Sequence, residues 1–161
     1  MKCPDCGKEN IEGSQDCDFC HAHLAYSPVP REGMAKRILE GTVSSLSPKP
    51  AIWSAPSDSL DSAVEKMRAN KAGCVLVLES GKLVGVLSEW ELLMKAPDGP
   101  FTGRAVKDVM RYDKTYLNEG AEVAFAFNQC ALSGYRHLPV RMKDGSYGVV
   151  SARDLLHYLC Q

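Results

Sequence analysis

Apolar residues in the C-terminal four-fifths of the chain follow a pattern that occurs twice. Moving the sequence by 63 positions places Gly85-Val86-Leu87-Ser88 on Gly148-Val149-Val150-Ser151 without a gap. The same shift aligns Val43 with Val106, Ala63 with Ala126, Val77 with Val140, Leu92 with Leu155 and Leu93 with Leu156. Eight identities over nearly 60 positions are few, but they follow one periodic pattern. The pattern therefore indicates a duplicated structural unit.

Each copy predicts the element order β-α-β-β-α. A short extended stretch comes first, at 51–53 and 114–117. A helix follows, because apolar residues recur at positions i, i+3, i+4 and i+7. These residues are Leu60, Ala63, Val64 and Met67 in the first copy and Val123, Ala126, Phe127 and Cys130 in the second. Ser59 is the expected N-cap of the first helix.

Two apolar strands and a second helix complete each copy. Hairpin signals at Ser80-Gly81 and Asp144-Gly145 join the strands. The strands are expected at 74–78, 83–87, 138–142 and 146–150, and the closing helices at 88–95 and 151–160. Pro97-Asp98-Gly99-Pro100 separates the copies. Neither copy can bury both faces of its sheet alone, so we expect an α/β (α+β) fold in which repeat 1 (34–98) packs on repeat 2 (99–161).

Composition narrows the class of protein. Hydrophobic residues make up 45% and charged residues 24% of the 161 positions, which is typical of a soluble globular protein. No apolar run approaches the roughly 20 residues that span a bilayer, and we do not expect Met1-Lys2-Cys3-Pro4 to begin a signal peptide. We therefore expect a cytoplasmic, reducing location. The odd count of seven cysteines then argues against a disulfide framework.

Four cysteines near the N-terminus form two Cys-x-x-Cys pairs with ten residues between them. They are Cys3, Cys6, Cys17 and Cys20. Zn²⁺ binds four thiolates in a tetrahedral shell, and a two-residue spacer lets one turn present both sulfurs. Gly7 permits an unusual backbone conformation just after the first pair. A redox Cys-x-x-Cys needs a strand before it and a helix after it, and the surroundings of Cys3 offer neither.

His21 and His23 follow the second pair and could replace a thiolate, but four cysteines already complete the metal shell. The segment 3–24 resembles the short zinc-ribbon family, which binds nucleic acids in some proteins and protein partners in others. The resemblance implies a zinc ribbon at 1–24, followed by a Pro- and Gly-containing linker at 25–33. The bound metal could be zinc or iron.

Charge favours a protein partner for the ribbon. Residues 1–33 hold three basic and six acidic groups, whereas residues 34–161 hold 16 basic and 14 acidic groups. Four thiolates on Zn²⁺ would make the front end more negative still. Nucleic acid binding depends on basic groups that neutralise phosphates, so a nucleic acid partner is disfavoured.

The duplicated unit resembles the CBS domain, named after cystathionine β-synthase. The resemblance lies in Gly148-Val149-Val150-Ser151-Ala152-Arg153-Asp154-Leu155-Leu156, in Val106-Lys107-Asp108-Val109-Met110 and in Gly134-Tyr135-Arg136-His137-Leu138-Pro139-Val140. It covers about residues 35–160 as a tandem pair. It implies a pseudo-symmetric unit with two clefts that commonly forms a homodimer and regulates a partner. Such pairs often bind AMP, ADP, ATP or S-adenosylmethionine.

The residues of the second copy suit a nucleotide cleft. Ser151 and Asp154 begin a helix, where free backbone N–H groups favour anions, and the carboxylate can accept from ribose hydroxyls. Arg136 or His137 could meet the phosphates. The resemblance assigns the adenine slot to Ile52, Cys74 and Ser47. The alternative interpretation is purely structural, because Ser151 and Asp154 are also a good N-cap and a good third helical residue.

The two clefts are unequal. In the first copy Ser88 matches Ser151, but Glu91 replaces Asp154, and Gly73 and Cys74 replace Arg136 and His137. Arg111, in the loop position of Pro48, could compensate in part. We therefore expect one working cleft around Asp154 and a degenerate one around Glu91.

No catalytic motif emerges from the sequence. It contains no phosphate loop of the Walker type and no nucleophile elbow, and a four-cysteine zinc site leaves no position for water. We expect a non-catalytic regulatory module that binds an adenosine-containing nucleotide, with the ribbon as a protein-interaction element. The alternatives are a nucleic-acid-associated regulator and a ligand-free dimerisation scaffold.

Overall fold

The computed structural model describes residues 2–3, 5–11, 14–24, 33–95 and 101–161. The linker at 25–32 and the separator at 97–100 lie outside the described residues. The chain divides into two compact units, residues 1–33 and 34–161. In the first unit, two short turns are closed by single β-bridges, Lys2 with Glu9 and Asp16 with His23.

The second unit contains both copies of the repeat. Copy 1 comprises a 3-10 turn (Val43–Leu46), β1 (Lys49–Pro50), β2 (Trp53–Ser54), α2 (Leu60–Asn70), β3 (Cys74–Glu79), β4 (Lys82–Ser88) and α3 (Glu89–Lys95), after a leading helix α1 (Gly33–Glu40). Copy 2 comprises α4 (Val106–Val109), β5 (Arg111–Tyr112), β6 (Leu117–Asn118), α5 (Val123–Ser133), β7 (His137–Arg141), β8 (Tyr147–Ser151) and α6 (Ala152–Leu159). The predicted β-α-β-β-α order is confirmed in both.

The two copies exchange their first strands. The sheets have the orders β1-β8-β7-β6 and β2-β3-β4-β5. Strand β1 of copy 1 pairs antiparallel with β8, with Lys49 opposite Val149, and β5 of copy 2 pairs antiparallel with β4, with Arg111 opposite Val86. Each sheet is therefore completed by a strand of the other copy.

The buried side chains show the same exchange. Val43 and Leu46 lie in the core of copy 2, and Val106 and Val109 lie in the core of copy 1. A third cluster joins the sheets, where Tyr147 and Val149 pack against buried Cys74, Leu76, Leu83 and Val86. The expectation that the two copies pack together is confirmed.

Two details differ from the sequence analysis. Helix α1 was not predicted; its Ile38 packs on the core of copy 2, and its Arg37 donates to the Leu159 carbonyl at 3.3 Å. On α5, Val123 and Ala126 are buried, but Phe127 is 41% exposed. The buried stripe of this helix is thus narrower than the apolar pattern indicated. None of the helices in the described residues has the length and apolar character needed to cross a membrane.

Candidate nucleotide cleft and metal centre

The N-terminal cysteines converge on one point. The Sγ atoms of Cys3, Cys6, Cys17 and Cys20 all lie within 4.8 Å of one another. Cys3 Sγ is 3.7 Å from Cys20 Sγ, and Cys6 Sγ is 3.6 Å from Cys17 Sγ. A tetrahedron with metal–sulfur bonds of about 2.3 Å has edges of about 3.8 Å. The cluster is therefore compatible with a zinc ribbon.

Two matching turns present these sulfurs. The N–H of Gly7 donates to the Cys3 carbonyl at 3.0 Å, and the N–H of His21 donates to the Cys17 carbonyl at 2.9 Å. Both turns end in the left-handed region, with φ of 72° at Gly7 and 56° at His21. The expectation for Gly7 is confirmed, and His21 takes the same conformation without a glycine. His23 Nδ1 instead contacts the Gln15 carbonyl at 2.7 Å and Asp16 Oδ1 at 3.0 Å, outside the cysteine cluster.

Asp154 sits in a closed capping box at the start of α6. The Ser151 side chain accepts from the Asp154 N–H, and Asp154 Oδ2 accepts from the Ser151 N–H at 2.8 Å. Burial alone would raise the pKa of Asp154, but hydrogen bonds from Ser151 and Lys49 outweigh it and hold the pKa below the usual 3.8. Asp154 is therefore ionised at neutral pH.

The other oxygen of Asp154 binds Lys49 of copy 1. Lys49 Nζ lies 3.0 Å from Asp154 Oδ1, with the lysine side chain 74% exposed. An ion pair with so exposed a partner contributes little, about 0–1 kcal/mol. A ligand can therefore displace Lys49 at low cost.

Copy 1 repeats the motif with a longer carboxylate. Glu91 Oε2 accepts from the Ser88 N–H at 3.1 Å and from the Ser88 hydroxyl. Unlike Asp154, Glu91 is almost completely buried, at 6% exposure. The carboxylate of copy 1 is therefore less accessible than that of Asp154.

A cavity of about 210 Å³ opens beside Ser88 and brings together basic groups from copy 2. Its lining comprises Val86, Ser88, Trp90, Arg111, Gly134, Arg136 and His137. The volume is below the ~300–1,000 Å³ of typical small-molecule pockets, so the cavity suits one end of a nucleotide rather than the whole.

Arg111 is held in place from two sides. Its guanidinium carbon lies 4.3 Å from the centre of the Tyr135 ring, and its Nε lies 3.7 Å from Asp113 Oδ2. The Tyr135 hydroxyl donates to the same Asp113 oxygen at 2.5 Å. The Nε atom is buried and finds no hydrogen-bond partner in the described part of the chain.

Arg136 and His137 enter the cavity next to each other. The Arg136 guanidinium carbon lies 4.9 Å from the centre of the Trp90 ring. His137 is the register partner of Ser151 at the start of α6, and it interacts electrostatically with Asp154, Glu89 and Glu91. Burial lowers the pKa of His137, and these carboxylates oppose the shift. Its buried Nδ1 has no hydrogen-bond partner among the residues described.

The position of these two residues differs from the sequence expectation. Arg136 and His137 were assigned to the cleft of their own copy, yet they line the cavity beside Ser88 of copy 1. The reason is Gly73, the residue that matches Arg136 under the 63-residue shift. A Cβ atom at Gly73 would lie 2.6 Å from His137 Nε2, so the missing side chain makes room for His137 across the two copies.

The three residues of the expected adenine slot lie on copy 1. Ser47 is exposed, with φ of 52°, and follows the 3-10 turn. The Ile52 carbonyl accepts from the Leu76 N–H at 3.0 Å. Cys74 is buried, and desolvation together with Glu91 and Glu89 raises its pKa to about 12, so its thiol is neutral. The sequence analysis missed the aromatic residues Trp90 and Tyr135, because the residues of a stacked pair do not recur at a fixed spacing in the sequence.

Comparison with known protein families shows to which family the chain belongs. The sequence profile of the CBS domain matches residues 43–98 and 106–161. The chain belongs to the CBS domain family. A relative from Acidianus ambivalens, described as an uncharacterized 17.7 kDa protein in the bps2 3' region, is 30% identical over 106 residues. That match covers 65% of this CBS-domain chain and 64% of the relative, just under two thirds of its length.

Solved CBS structures share the fold. The CBS domain protein NE2398 has a TM-score of 0.66 and 29% identity, covering 72% of this chain and 95% of that one. CBSX2 in complex with AMP has a TM-score of 0.59 and 24% identity, covering 72% and 93%. The MJ0100 CBS pair, in complex with 5'-methylthioadenosine and S-adenosylmethionine, has a TM-score of 0.63 and 17% identity, covering 72% and 97%.

Proposed function

We propose that this protein is a non-catalytic sensor that binds an adenosine-containing nucleotide and transmits its presence to a protein partner. The observation that carries the proposal is the meeting of three basic side chains from copy 2 (Arg111, Arg136 and His137) with Ser88 of copy 1 in one cavity. CBS pairs are generally regulatory modules without catalytic activity, and two structural neighbours were solved with adenosine compounds. Both facts support a regulatory ligand.

Asp154 and Ser151 do not line this cavity; in this proposal they hold the ribose and the nearest phosphate beside it, next to His137, the register partner of Ser151. Asp154 is ionised and interacts electrostatically with His137. The Lys49 ammonium leaves Asp154 Oδ1 when ribose hydroxyls arrive, and is then free to approach the phosphates. Ser47, Ile52 and the surroundings of Cys74 supply the adenine slot. The buried Glu91 does not act as a second ribose acceptor.

Isothermal titration with AMP, ATP and S-adenosylmethionine tests this assignment. We expect one site per chain in the wild type, and loss of nucleotide binding in Asp154→Ala. Asp61, an exposed acid in the first turn of α2, provides the matched control, and Asp61→Ala should bind normally. Two equal sites would contradict the single cleft. Normal binding by Asp154→Ala would remove Asp154 from the site, and no binding by the wild type would favour the ligand-free scaffold.

We further propose that the ribbon docks on a protein. It exposes two large apolar side chains, Ile11 at 76% and Phe19 at 56%, among acidic residues. Single-stranded or duplex DNA should therefore give no salt-dependent gel shift. A shift that disappears in Phe19→Ala and at high salt would instead support the nucleic-acid alternative.

We also propose a homodimer. Helix α3 exposes Leu93 at 72% and Met94 at 59%, and α5 exposes Leu132 at 81%. Leu93 and Met94 are neighbours on α3, and neighbouring exposed apolar side chains of this size mark interaction surfaces. Light scattering should give twice the chain mass for the wild type and a smaller mass for Leu93→Lys. A wild-type monomer would overturn the proposal.

A further inference from the structure

We infer that the CBS pair has a second ligand site, in a cavity at the hairpin turns of the two copies, and that this site takes an uncharged planar ring compound. The cavity, called the hairpin cavity below, is lined in part by Pro48, Trp53, Gly81, Gly145 and Tyr147. Its volume is about 440 Å³, within the ~300–1,000 Å³ of typical small-molecule pockets. The inference does not rest on the proposed function, because none of the described residues assigned to a nucleotide cleft lines this cavity.

The hairpin cavity and the nucleotide residues lie at opposite ends of the same strands. Residues 48–53 leave the sheet of copy 2 through β1 and enter the sheet of copy 1 through β2. The cavity forms where this segment passes the two hairpins. Tyr147 begins β8 and Ser151 ends it, so about 13 Å of strand separates the two residues. The hairpin cavity is therefore a site of its own.

The lining of the hairpin cavity offers ring and aliphatic surface without charge. None of the described residues that line it has a charged side chain. Its two side-chain hydroxyls are already hydrogen-bonded, because Ser146 donates to Asp144 Oδ1 at 2.6 Å and Tyr147 accepts from the Leu83 N–H at 3.4 Å. The two prolines in the lining have no N–H to donate. A charged ligand would lose hydration here without gaining an ionic partner, so the lining favours an uncharged one.

Two aromatic residues give the hairpin cavity its widest contact surfaces. Trp53 is 58% exposed, and the Lys66 ammonium lies 5.8 Å from the centre of its ring. The Tyr147 ring is held by the Arg141 guanidinium at 4.6 Å and by the edge of the Tyr116 ring at 6.0 Å. Neither cation lines the cavity. Rings that are already held in place lose little entropy on binding and stack well on a second flat ring.

The size of the hairpin cavity favours a small molecule over a protein. Eleven described residues line it, whereas a stable protein interface takes about 20–30 residues from each partner. Its wall is also closely packed. A Cβ atom at Gly148 would lie 3.0 Å from Pro48 Cβ and 3.2 Å from the Lys49 carbonyl oxygen, and the Ala51 N–H donates to the Tyr147 carbonyl at 3.0 Å. The cavity is therefore formed before a ligand arrives, as in most small-molecule sites.

The two tryptophans of the chain make a selective test possible. Trp53 lines the hairpin cavity, and Trp90 lines the cavity beside Ser88. The full chain, labelled with nitrogen-15, is titrated with indole while the two indole N–H signals are followed by NMR. We expect the Trp53 signal to shift and saturate while the Trp90 signal stays in place. Indole-3-acetate and tryptamine carry a negative and a positive charge on the same ring, and each should bind roughly 10-fold more weakly than indole.

Variants at the two tryptophans separate specific from general ring binding. Trp53→Ala should weaken indole binding roughly 10-fold, and Trp53→Phe should keep part of the affinity, because a smaller ring remains. Trp53 is largely exposed, so both variants should fold, which a thermal melt checks. Trp90→Phe is the matched control, because Trp90 is also exposed, at 48%, and does not line the hairpin cavity. It should bind indole like the wild type.

Several results would contradict the inference. If the Trp53 signal responds to none of the three compounds, or if both tryptophan signals respond alike, the hairpin cavity is not a specific ligand site. If indole-3-acetate or tryptamine binds as tightly as indole, the ligand class is wrong. If Trp53→Ala lowers the mass measured by light scattering, this wall belongs to an interface between two copies of the chain instead.

Discussion

At the scale of single residues, Gly73 decides where His137 lies. The two residues belong to different copies, and a Cβ atom on Gly73 would come within 2.6 Å of His137 Nε2 and 2.8 Å of its Cε1. Gly73 also accepts the Glu89 N–H at 3.1 Å, so its backbone has little freedom to retreat. The imidazole must move if a side chain is added there.

Gly73→Ala should therefore destabilise the protein by about 1–3 kcal/mol, the usual cost of overpacking, and weaken ATP binding through His137. Denaturant unfolding measures the first effect and titration the second. Gly120→Ala is the control, because its added Cβ meets nothing within 4 Å and its φ is not in the left-handed region. Equal behaviour of the two variants would contradict the packing argument.

Asp113 links stability to pH at the same scale. Burial alone would raise its pKa, but hydrogen bonds from Tyr135 and Thr115 outweigh burial and hold the pKa below 3.8. The folded state thus binds this proton more weakly than the unfolded state, so the contribution is present above about pH 4 and is lost on further acidification. As the pH is lowered from about 6 to about 2.5, the Tm should fall less steeply for Asp113→Asn than for the wild type.

Residue roles were only partly accessible from the sequence. The Ser151–Asp154 capping box and the Ser59 N-cap depend on neighbours three residues away, so local spacing predicted them correctly. The place of Arg136 depends on the pairing of the two copies and on the ring of Trp90. These contacts join residues that are far apart in the sequence, so no periodic pattern predicts them.

At the scale of elements, the two cysteine-bearing turns of the ribbon share one backbone shape but differ in their left-handed residue. Each needs a left-handed residue four positions after its first cysteine, which is Gly7 in one turn and His21 in the other. A left-handed conformation costs a non-glycine residue roughly 1–2 kcal/mol. The second turn therefore carries strain that the first avoids.

His21→Gly should tighten zinc binding and Gly7→Ala should weaken it, each by about 1 kcal/mol, because metal binding and folding are coupled in so small a unit. A Cβ at Gly7 meets nothing within 4 Å, so the loss would be conformational rather than steric. Competition with a chelator of known affinity measures both. An unchanged affinity in Gly7→Ala would show that the turn does not depend on its left-handed residue.

The long elements were predicted, but the exchanged strands β1 and β5 were not. The paired strands β3–β4 and β7–β8 contain five to seven residues each, with turn signals between them, and appear where expected. The exchanged strands β1 and β5 contain two residues each. Two residues cannot show a period, so neither their existence nor their partner in the other copy is visible in the sequence.

At the scale of the whole molecule, the two units differ in how they are stabilised. The buried apolar residues of the ribbon are Cys3, Cys17 and Leu24 in its described part, whereas three apolar clusters support residues 34–161. A unit with so small a core depends on metal for most of its folding free energy. The CBS pair, with its three apolar clusters, does not depend on a metal for its folding.

Removal of metal with a chelator should therefore abolish the dispersed amide signals of residues 2–24 and leave the main thermal transition unchanged. Cys17→Ser should behave like the chelated protein. Cys160→Ser is the control, because Cys160 is exposed and lies outside the cysteine cluster. Loss of the main transition on chelation would contradict the independence of the two units.

The exchange of first strands also imposes an order on biosynthesis. When the ribosome has released copy 1, the β4 edge of its sheet still lacks Arg111–Tyr112, and Lys49–Pro50 has no sheet to join. Copy 1 therefore cannot complete its folding until copy 2 has been translated. Until then its sheet has an open edge, and the side chains of Val43 and Leu46 are exposed to solvent. Evolution can duplicate such a unit, but afterwards cannot delete either half without leaving the other incomplete.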